Sequence, residues 1–130
     1  MPSPIIYVGT HGIQSGKAER ARAASEDLAR HLETHHPNYL HFQISISDEG
    51  DRMTVLQIHA DEASMMLHLQ LAGEKIAAAY EFLSGTISID IFGEPSEQLA
   101  AAINGMAGDA PLRVHRPGHG FSRLLAGASS

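Results

Sequence analysis

The spacing of apolar residues, and the way this spacing changes along the chain, constrains the fold more than any other sequence feature. A repeat of two indicates a strand, and a repeat of about 3.6 indicates a helix. The sequence predicts strand, helix, strand, strand, helix, strand and one appended helix. That order is typical of a ferredoxin-like, split β-α-β fold of the α+β class, with a four-stranded antiparallel sheet and its helices on one face.

Turn and capping residues place the ends of these elements. We assign strands to 5–10, 39–47, 53–60 and 86–92, helices to 15–35, 61–83 and about 95–107, and a short edge strand to 112–115. Ser15 and Asp61 are expected to cap the first two helices. Pro37 ends the first helix because the residue before a proline avoids the helical conformation. We expect Gly73 to interrupt the second helix.

A chain of 130 residues is long enough for one hydrophobic core and too short for two ordinary ones. We therefore predict a single domain over residues 1–115, with its core at 5–92. A C-terminal tail follows at 116–130, and we expect it to be disordered from Ala126.

Charge and composition exclude several partners and chemistries. A formal net charge of −6 opposes binding to nucleic acid or to an anionic membrane. The chain has no cysteine, so disulfides, thiolate metal sites and cysteine nucleophiles are excluded, and a cytoplasmic location is expected. No apolar run reaches the length of a membrane span.

The turn at 48–50 decides which residues of the central hairpin share a face. We favour a three-residue loop with Gly50 in the left-handed conformation. This loop pairs Phe42 with Leu56 and keeps one face of the hairpin apolar. A four-residue loop would instead pair Phe42 with Gln57 and bring polar side chains into the core.

The favoured loop leaves the opposite face of the sheet with a mixture of polar and apolar side chains. Such a face is too apolar for full exposure and too polar for an ordinary core, and burial against a second copy resolves the conflict. We therefore predict a homodimer that uses this face. Its predicted interface residues are Tyr39, His41, Gln43, Gln57, His59 and Asp90; Tyr7 and His11 are predicted on the same face.

The element order, together with the helix at 61–68, resembles the antibiotic-biosynthesis-monooxygenase group of dimeric α/β barrels. In that group a short capped turn leads into a helix with a histidine placed like His68. The resemblance covers about residues 5–92. The chain lacks the tryptophan found near that helix in several members, and it adds residues 93–130.

The resemblance implies a pocket between helices and sheet and a cofactor-independent monooxygenase acting on a small aromatic or quinol-type substrate. It implies no metal and no flavin. His68 would be the base or the hydrogen-bonding group, since a neutral imidazole accepts a proton near physiological pH. The predicted pocket residues are Phe42, Met65, Met66 and Phe121, the last on a flap at 118–121.

Other interpretations stay open at this point. His68 also fits a histidine at the edge of a buried helix stripe, and the protein also fits a non-enzymatic dimeric barrel that binds a small apolar ligand or serves as an interaction module. A metal site at His11, His41 and His59 is disfavoured because they lie on different strands. An enclosed cavity touching His68 would favour the enzyme.

Overall fold

A computed structural model describes residues 4–121 and 123. Its strands are β1 (Ile5–Ile13), β2 (His41–Ile46), β3 (Arg52–His59), β4 (Leu83–Phe92) and β5 (Leu112–His115). Its helices are α1 (Ala18–His35), α2 (Glu62–Ala78) and α3 (Glu97–Ala107), and one 3-10 turn at Ala79–Glu81 precedes β4. The disorder predicted from Ala126 lies outside the described residues.

The five strands form one open sheet in the order β2-β3-β1-β4-β5. Strands β1 to β4 pair antiparallel, and β5 adds a parallel edge strand beside β4. All three helices pack on one face of this sheet. The ferredoxin-like α+β fold predicted from the element order is therefore confirmed, with the appended strand making the sheet five-stranded.

Two of the predicted helix signals differ from the structure. Asp61 caps α2 as predicted, since its side chain accepts a hydrogen bond of 2.9 Å from the backbone N–H of Ser64. Ser15 does not cap α1, which begins without a side-chain cap. Helix α2 continues through Gly73, because a glycine inside a helix costs only about 1 kcal/mol and the neighbouring Ala72 is buried in the core.

The central hairpin has a four-residue loop, so the predicted three-residue loop is wrong. The Ser47 backbone N–H donates to the carbonyl of Arg52 at 3.0 Å, and the Ser47 hydroxyl accepts from the Arg52 N–H at 3.1 Å. Gly50 has the expected left-handed φ of 74°. Phe42 consequently lies opposite Gln57.

This register exchanges the two faces of β3. Met53, Val55, Gln57 and His59 face the helices, and Thr54, Leu56 and Ile58 lie on the open face. Of the predicted interface residues, His41, Gln43 and Asp90 lie on the open face, whereas Gln57, His59 and Tyr39 lie on the helix side, as do Tyr7 and His11. The prediction failed because it kept polar side chains out of the core, whereas Gln57 and His59 hydrogen-bond to each other there.

Two hydrophobic clusters join the helices to the sheet. The first packs Met65 of α2 and Leu99 of α3 against β1 and β4. The second packs Ala21 of α1 against Met53 of β3 and Phe82, the residue before β4. Members of both clusters line one cavity between the sheet and the helices.

Gly9, in the middle of β1, makes room for the ring of Tyr7. A Cβ at this position would lie 2.6 Å from the Tyr7 hydroxyl oxygen and 2.9 Å from a ring carbon. Alternate residues of a strand share a face, so the ring of Tyr7 lies over Gly9 and extends toward His11.

Gly9→Ala is expected to lower the free energy of unfolding by about 1–3 kcal/mol, because the buried Tyr7 ring must leave its packed position. Denaturant unfolding measures this change. Gly73→Ala is the matched control: a Cβ there meets nothing within 4 Å, so the change should be neutral or stabilise by up to about 1 kcal/mol. Equal losses of stability in the two variants would contradict the packing of Tyr7 over Gly9.

Candidate functional site

A cavity of about 450 Å³ lies between the sheet and the helices. Much of its wall is apolar and includes Leu28, Phe42, Ile44, Val55, Met65 and Met106. A space of this size and lining suits a small organic molecule. The space between helices and sheet is therefore not filled by core side chains.

Two ion pairs cross the outer edge of the cavity, between α1 and the C-terminal end of α2 with its 3-10 turn. Arg20 pairs with Glu81, and Asp27 pairs with Lys75. A hydrogen bond from Lys75 and its charge lower the pKa of the Asp27 carboxyl. Exposed ion pairs contribute only about 0–1 kcal/mol each, so this edge is held weakly.

His68 of α2 and Gln57 of β3 form a polar end of the cavity, and both are buried. Nε2 of His68 lies 3.1 Å from the amide nitrogen of Gln57, and Nδ1 lies 3.1 Å from the Tyr39 hydroxyl oxygen. An amide nitrogen only donates, so His68 accepts at Nε2 and donates to Tyr39 from Nδ1. Both ring nitrogens of His68 are thus occupied.

The hydrogen bonds continue from Gln57 to the start of α2. The Gln57 carbonyl oxygen accepts from His59 Nε2 at 2.9 Å, and His59 Nδ1 accepts from the Ser64 hydroxyl at 2.7 Å. His36 Nε2 donates to the Ser64 carbonyl at 3.0 Å. The direction of donation from Ser64 to Tyr39 is set by the Gln57 amide, whose nitrogen only donates and whose oxygen only accepts.

Burial keeps His59, His68 and Tyr39 uncharged near neutral pH. Desolvation, with a smaller effect of His36, lowers the pKa of His68 to about 4. Desolvation and the neighbouring histidines lower the pKa of His59 to about 3. Desolvation raises the pKa of the Tyr39 hydroxyl. This end of the cavity therefore offers hydrogen bonds without a fixed charge.

A second polar region lies along β1. Tyr7 and His11 line the cavity, and His11 Nδ1 lies 3.1 Å from the Thr86 hydroxyl oxygen of β4. Desolvation lowers the pKa of His11, and burial raises the pKa of Tyr7 to about 12. At neutral pH the region therefore presents a neutral imidazole and a phenol.

The structure brings together part of the pocket predicted from the sequence. His68, Phe42 and Met65 line the cavity. Met66 instead packs against the hydrophobic cluster of β1, β4 and α3. Phe121 is 82% exposed and lies outside the cavity, because residues 116–121 continue past β5 as exposed chain.

Sequence reasoning did not connect His68 with its partners. Tyr39, Gln57 and His59 were placed on the opposite face, as were Tyr7 and His11, and the one-residue error in the hairpin explains Gln57 and His59. The signal that could have corrected it was Ser47, whose side chain and backbone close a four-residue loop.

No helix of the described part of the chain is both long and apolar enough to cross a membrane. Residues 4–121 and 123 also contain no group of three or more His, Cys, Asp or Glu side chains arranged to hold a metal ion. His41 lies on the other face of the sheet from His11 and His59, so these three cannot share an ion.

Several solved structures have the same fold. MupZ from Pseudomonas fluorescens is similar over 92% of this chain and 94% of its own, with a TM-score of 0.73 and 18% identity. A candidate antibiotic biosynthesis monooxygenase from Caulobacter crescentus CB15 is similar over 69% of this chain and 86% of its own, with a TM-score of 0.60 and 24% identity. Another, from Chloroflexus aurantiacus J-10-fl, covers 68% of this chain and 89% of its own, with a TM-score of 0.55 and 11% identity.

These likenesses confirm the fold that the sequence resemblance implied. At identities below 25% they concern the fold alone. The sequence matches no protein-family model and no protein of curated function.

Lowering the pH below about 6 is expected to destabilise the protein through His59 and His68. In the unfolded chain both take up protons near pH 6.5, whereas in the folded protein their pKa values are about 3 and 4. At pH values between the folded and unfolded pKa values, the unfolded state therefore binds more protons than the folded state. The free energy of unfolding should fall with falling pH by on the order of 1–3 kcal/mol per pH unit, as urea unfolding from pH 7 to 5 would measure.

His68→Gln keeps hydrogen-bonding groups and removes one titrating site, so it should make this pH dependence shallower. His35→Gln, which changes an exposed ring, is the matched control and should leave the slope unchanged. A slope unaffected by His68→Gln would contradict a neutral, buried His68.

Proposed function

We propose that the protein binds a small aromatic or quinol-type substrate in the cavity and oxidises it with O2 as a cofactor-independent monooxygenase. The observation that carries the proposal is the cavity of about 450 Å³ that ends at the buried, neutral His68 and Gln57. Apolar walls with a few convergent polar groups are typical of small-molecule sites. The fold shared with candidate monooxygenases adds support.

The proposed reaction needs no cofactor because the substrate itself supplies the electrons. An anthrone loses a proton from its ring methylene, and the resulting carbanion reduces O2. One oxygen atom becomes the new carbonyl oxygen and the other leaves as water, so CH2 and O2 give C=O and H2O. The protein accepts the proton, holds the anion and keeps bulk water away from it.

His68 is suited to hold the polar end of the substrate. Its low pKa keeps the ring neutral at pH 7, and a substrate anion beside it would favour the protonated form. To take up a proton at Nε2, however, the ring has to release the amide of Gln57. The Tyr39 hydroxyl, which does not line the cavity, accepts from His68 and so supports the ring from behind.

A non-enzymatic ligand-binding protein is the second candidate, and one observation favours it. Both ring nitrogens of His68 are bonded within the protein, so His68 presents no free lone pair to the cavity. In that case a small apolar ligand would be bound and no oxygen consumed.

Oxygen uptake with anthrone and small quinols is expected to exceed the uptake without protein. His68→Gln should reduce turnover about tenfold or more, because an amide cannot take up a proton beside the substrate anion as an imidazole can. Circular dichroism would verify folding, and His35→Gln should retain full activity. Binding of these compounds without oxygen uptake would favour the non-enzymatic role and overturn the monooxygenase.

We further propose that the open face of the sheet pairs with a second copy of the chain. Its centre is apolar and half-buried and consists of Ile6, Val8, Leu56 and Ile58, beside the exposed polar side chains of β2. The helices cover only the other face. A second sheet would remove this apolar surface from water, which stabilises a symmetric dimer.

Leu56→Asp is expected to convert the dimer to monomer, because a carboxylate would be buried without a partner at the centre of the interface. Light scattering at micromolar concentration measures the mass. Ala29→Asp, on the exposed side of α1, should leave the mass unchanged. A monomeric mass for the unchanged protein would refute the dimer.

A further inference from the structure

The proposed reaction needs a proton acceptor that faces the substrate, and His11 is the second histidine lining the cavity. Its Nδ1 is bonded to Thr86. Its Nε2 makes no hydrogen bond within residues 4–121 and 123, and it is not among their fully buried, unpartnered atoms. The Nε2 of His11 is therefore accessible, in contrast to both nitrogens of His68.

The backbone around His11 is irregular. The pairing of β1 with β4 shifts between Thr10 and His11, which brings Thr86 opposite His11. Such β-bulges redirect neighbouring side chains and are frequent beside functional sites. Two glycines permit the irregularity: a Cβ at Gly12 would collide with the Ser84 hydroxyl, and Gly85 has a φ of 147°.

Thr86 gives the ring a defined orientation. A neutral imidazole carries one proton and one lone pair, and the Thr86 hydroxyl oxygen can accept the proton on Nδ1. In that tautomer the lone pair is on Nε2. If the ring takes up a second proton, the Nδ1–H bond to Thr86 is retained and becomes stronger because the donor is charged.

Tyr7 places a hydroxyl group on the same face of the same strand. Its oxygen lies over Gly9, and alternate residues of a strand are about 6.6 Å apart. The hydroxyl and the His11 ring therefore lie within the length of one small aromatic molecule. No hydrogen bond occupies the Tyr7 hydroxyl in the described part of the chain, and its raised pKa keeps it a donor.

We propose that His11 Nε2 is the base of the cavity, that Thr86 positions it, and that the Tyr7 hydroxyl donates a hydrogen bond to a substrate oxygen. This inference rests on the proposed function and specifies its substrate: an aromatic compound with an acidic C–H or O–H conjugated to a carbonyl or phenolic oxygen. The C–H or O–H bond breaks and its proton moves to Nε2. The electron pair stays on the substrate, spread onto the oxygen that Tyr7 holds, and O2 is the oxidant.

Diethyl pyrocarbonate, which modifies accessible, unprotonated imidazole nitrogens, tests this geometry without turnover. Peptide mass analysis at pH 7 should show modification of His11 and of the exposed His35, while His68 is spared. Anthrone should slow the modification of His11 and leave that of His35 unchanged. An unreactive His11, or one that anthrone does not protect, would overturn the inference.

The kinetics of oxygen uptake with anthrone distinguish the role of the base, His11, from that of its positioning residue, Thr86. His11→Gln should lower kcat by about 10²–10⁴-fold, the usual contribution of a general base, with little change in KM. Thr86→Val should lower kcat less and move the acidic limb of the pH-rate profile to lower pH, because the imidazolium loses its acceptor. The control is again His35→Gln.

Undiminished kcat in His11→Gln, beside a reduced kcat in His68→Gln, would assign the base to His68 and refute the role of His11. If none of the compounds is oxidised, the proposed monooxygenase activity is wrong. The modification of His11 and its protection by anthrone would still decide whether the cavity holds its ligand at this residue.

Discussion

The pairing of Ser47 with Arg52 determines what the cavity is made of. It closes the hairpin with a four-residue loop. The resulting register places Gln57 and His59 on the face of the sheet that the helices cover. A shift of one residue would replace them with Leu56 and Ile58, and the cavity would lose its polar end. The polar groups that a ligand meets in the cavity thus depend on a turn at the opposite end of the hairpin from His68.

Buried polar groups cost free energy unless each finds a partner, and here donors and acceptors alternate from Ser64 to Tyr39. Beside them, Nδ1 of His36 is buried without a hydrogen bond in the described residues. The alternation requires residues from β3, α2 and the segment before β2 to come together. Removing one member leaves its neighbours unpaired, at about 1–3 kcal/mol for each group. The neutral His59 and His68 therefore hold the sheet and α2 together and also shape the site.

Hydrophobic periodicity was enough to predict the element order and the packing of the helices on one face of the sheet, because both follow from local pattern and from the handedness of crossovers. Which residues of β3 face the helices was not predictable in this way, since polarity alone would place Gln57 on the exposed face of the sheet. Its partners His59 and His68 offset the cost of burial only once α2 has packed. The place of His11 in the cavity was not predictable for another reason. The bulge beside it arises only when β1 pairs with β4, and the sequence of β1 alone does not show it.

The short strand β5 has a consequence for the behaviour of the molecule in a crowded solution. A free sheet edge is a template for unwanted strand addition, and short, charged edge strands resist it. Here β5 covers one edge of β4 with only four residues, and Arg113 and His115 both reach back to Asp90. A short edge strand with charged side chains is a poor template for strand addition, and β5 lies apart from the cavity, whose lining includes none of its residues.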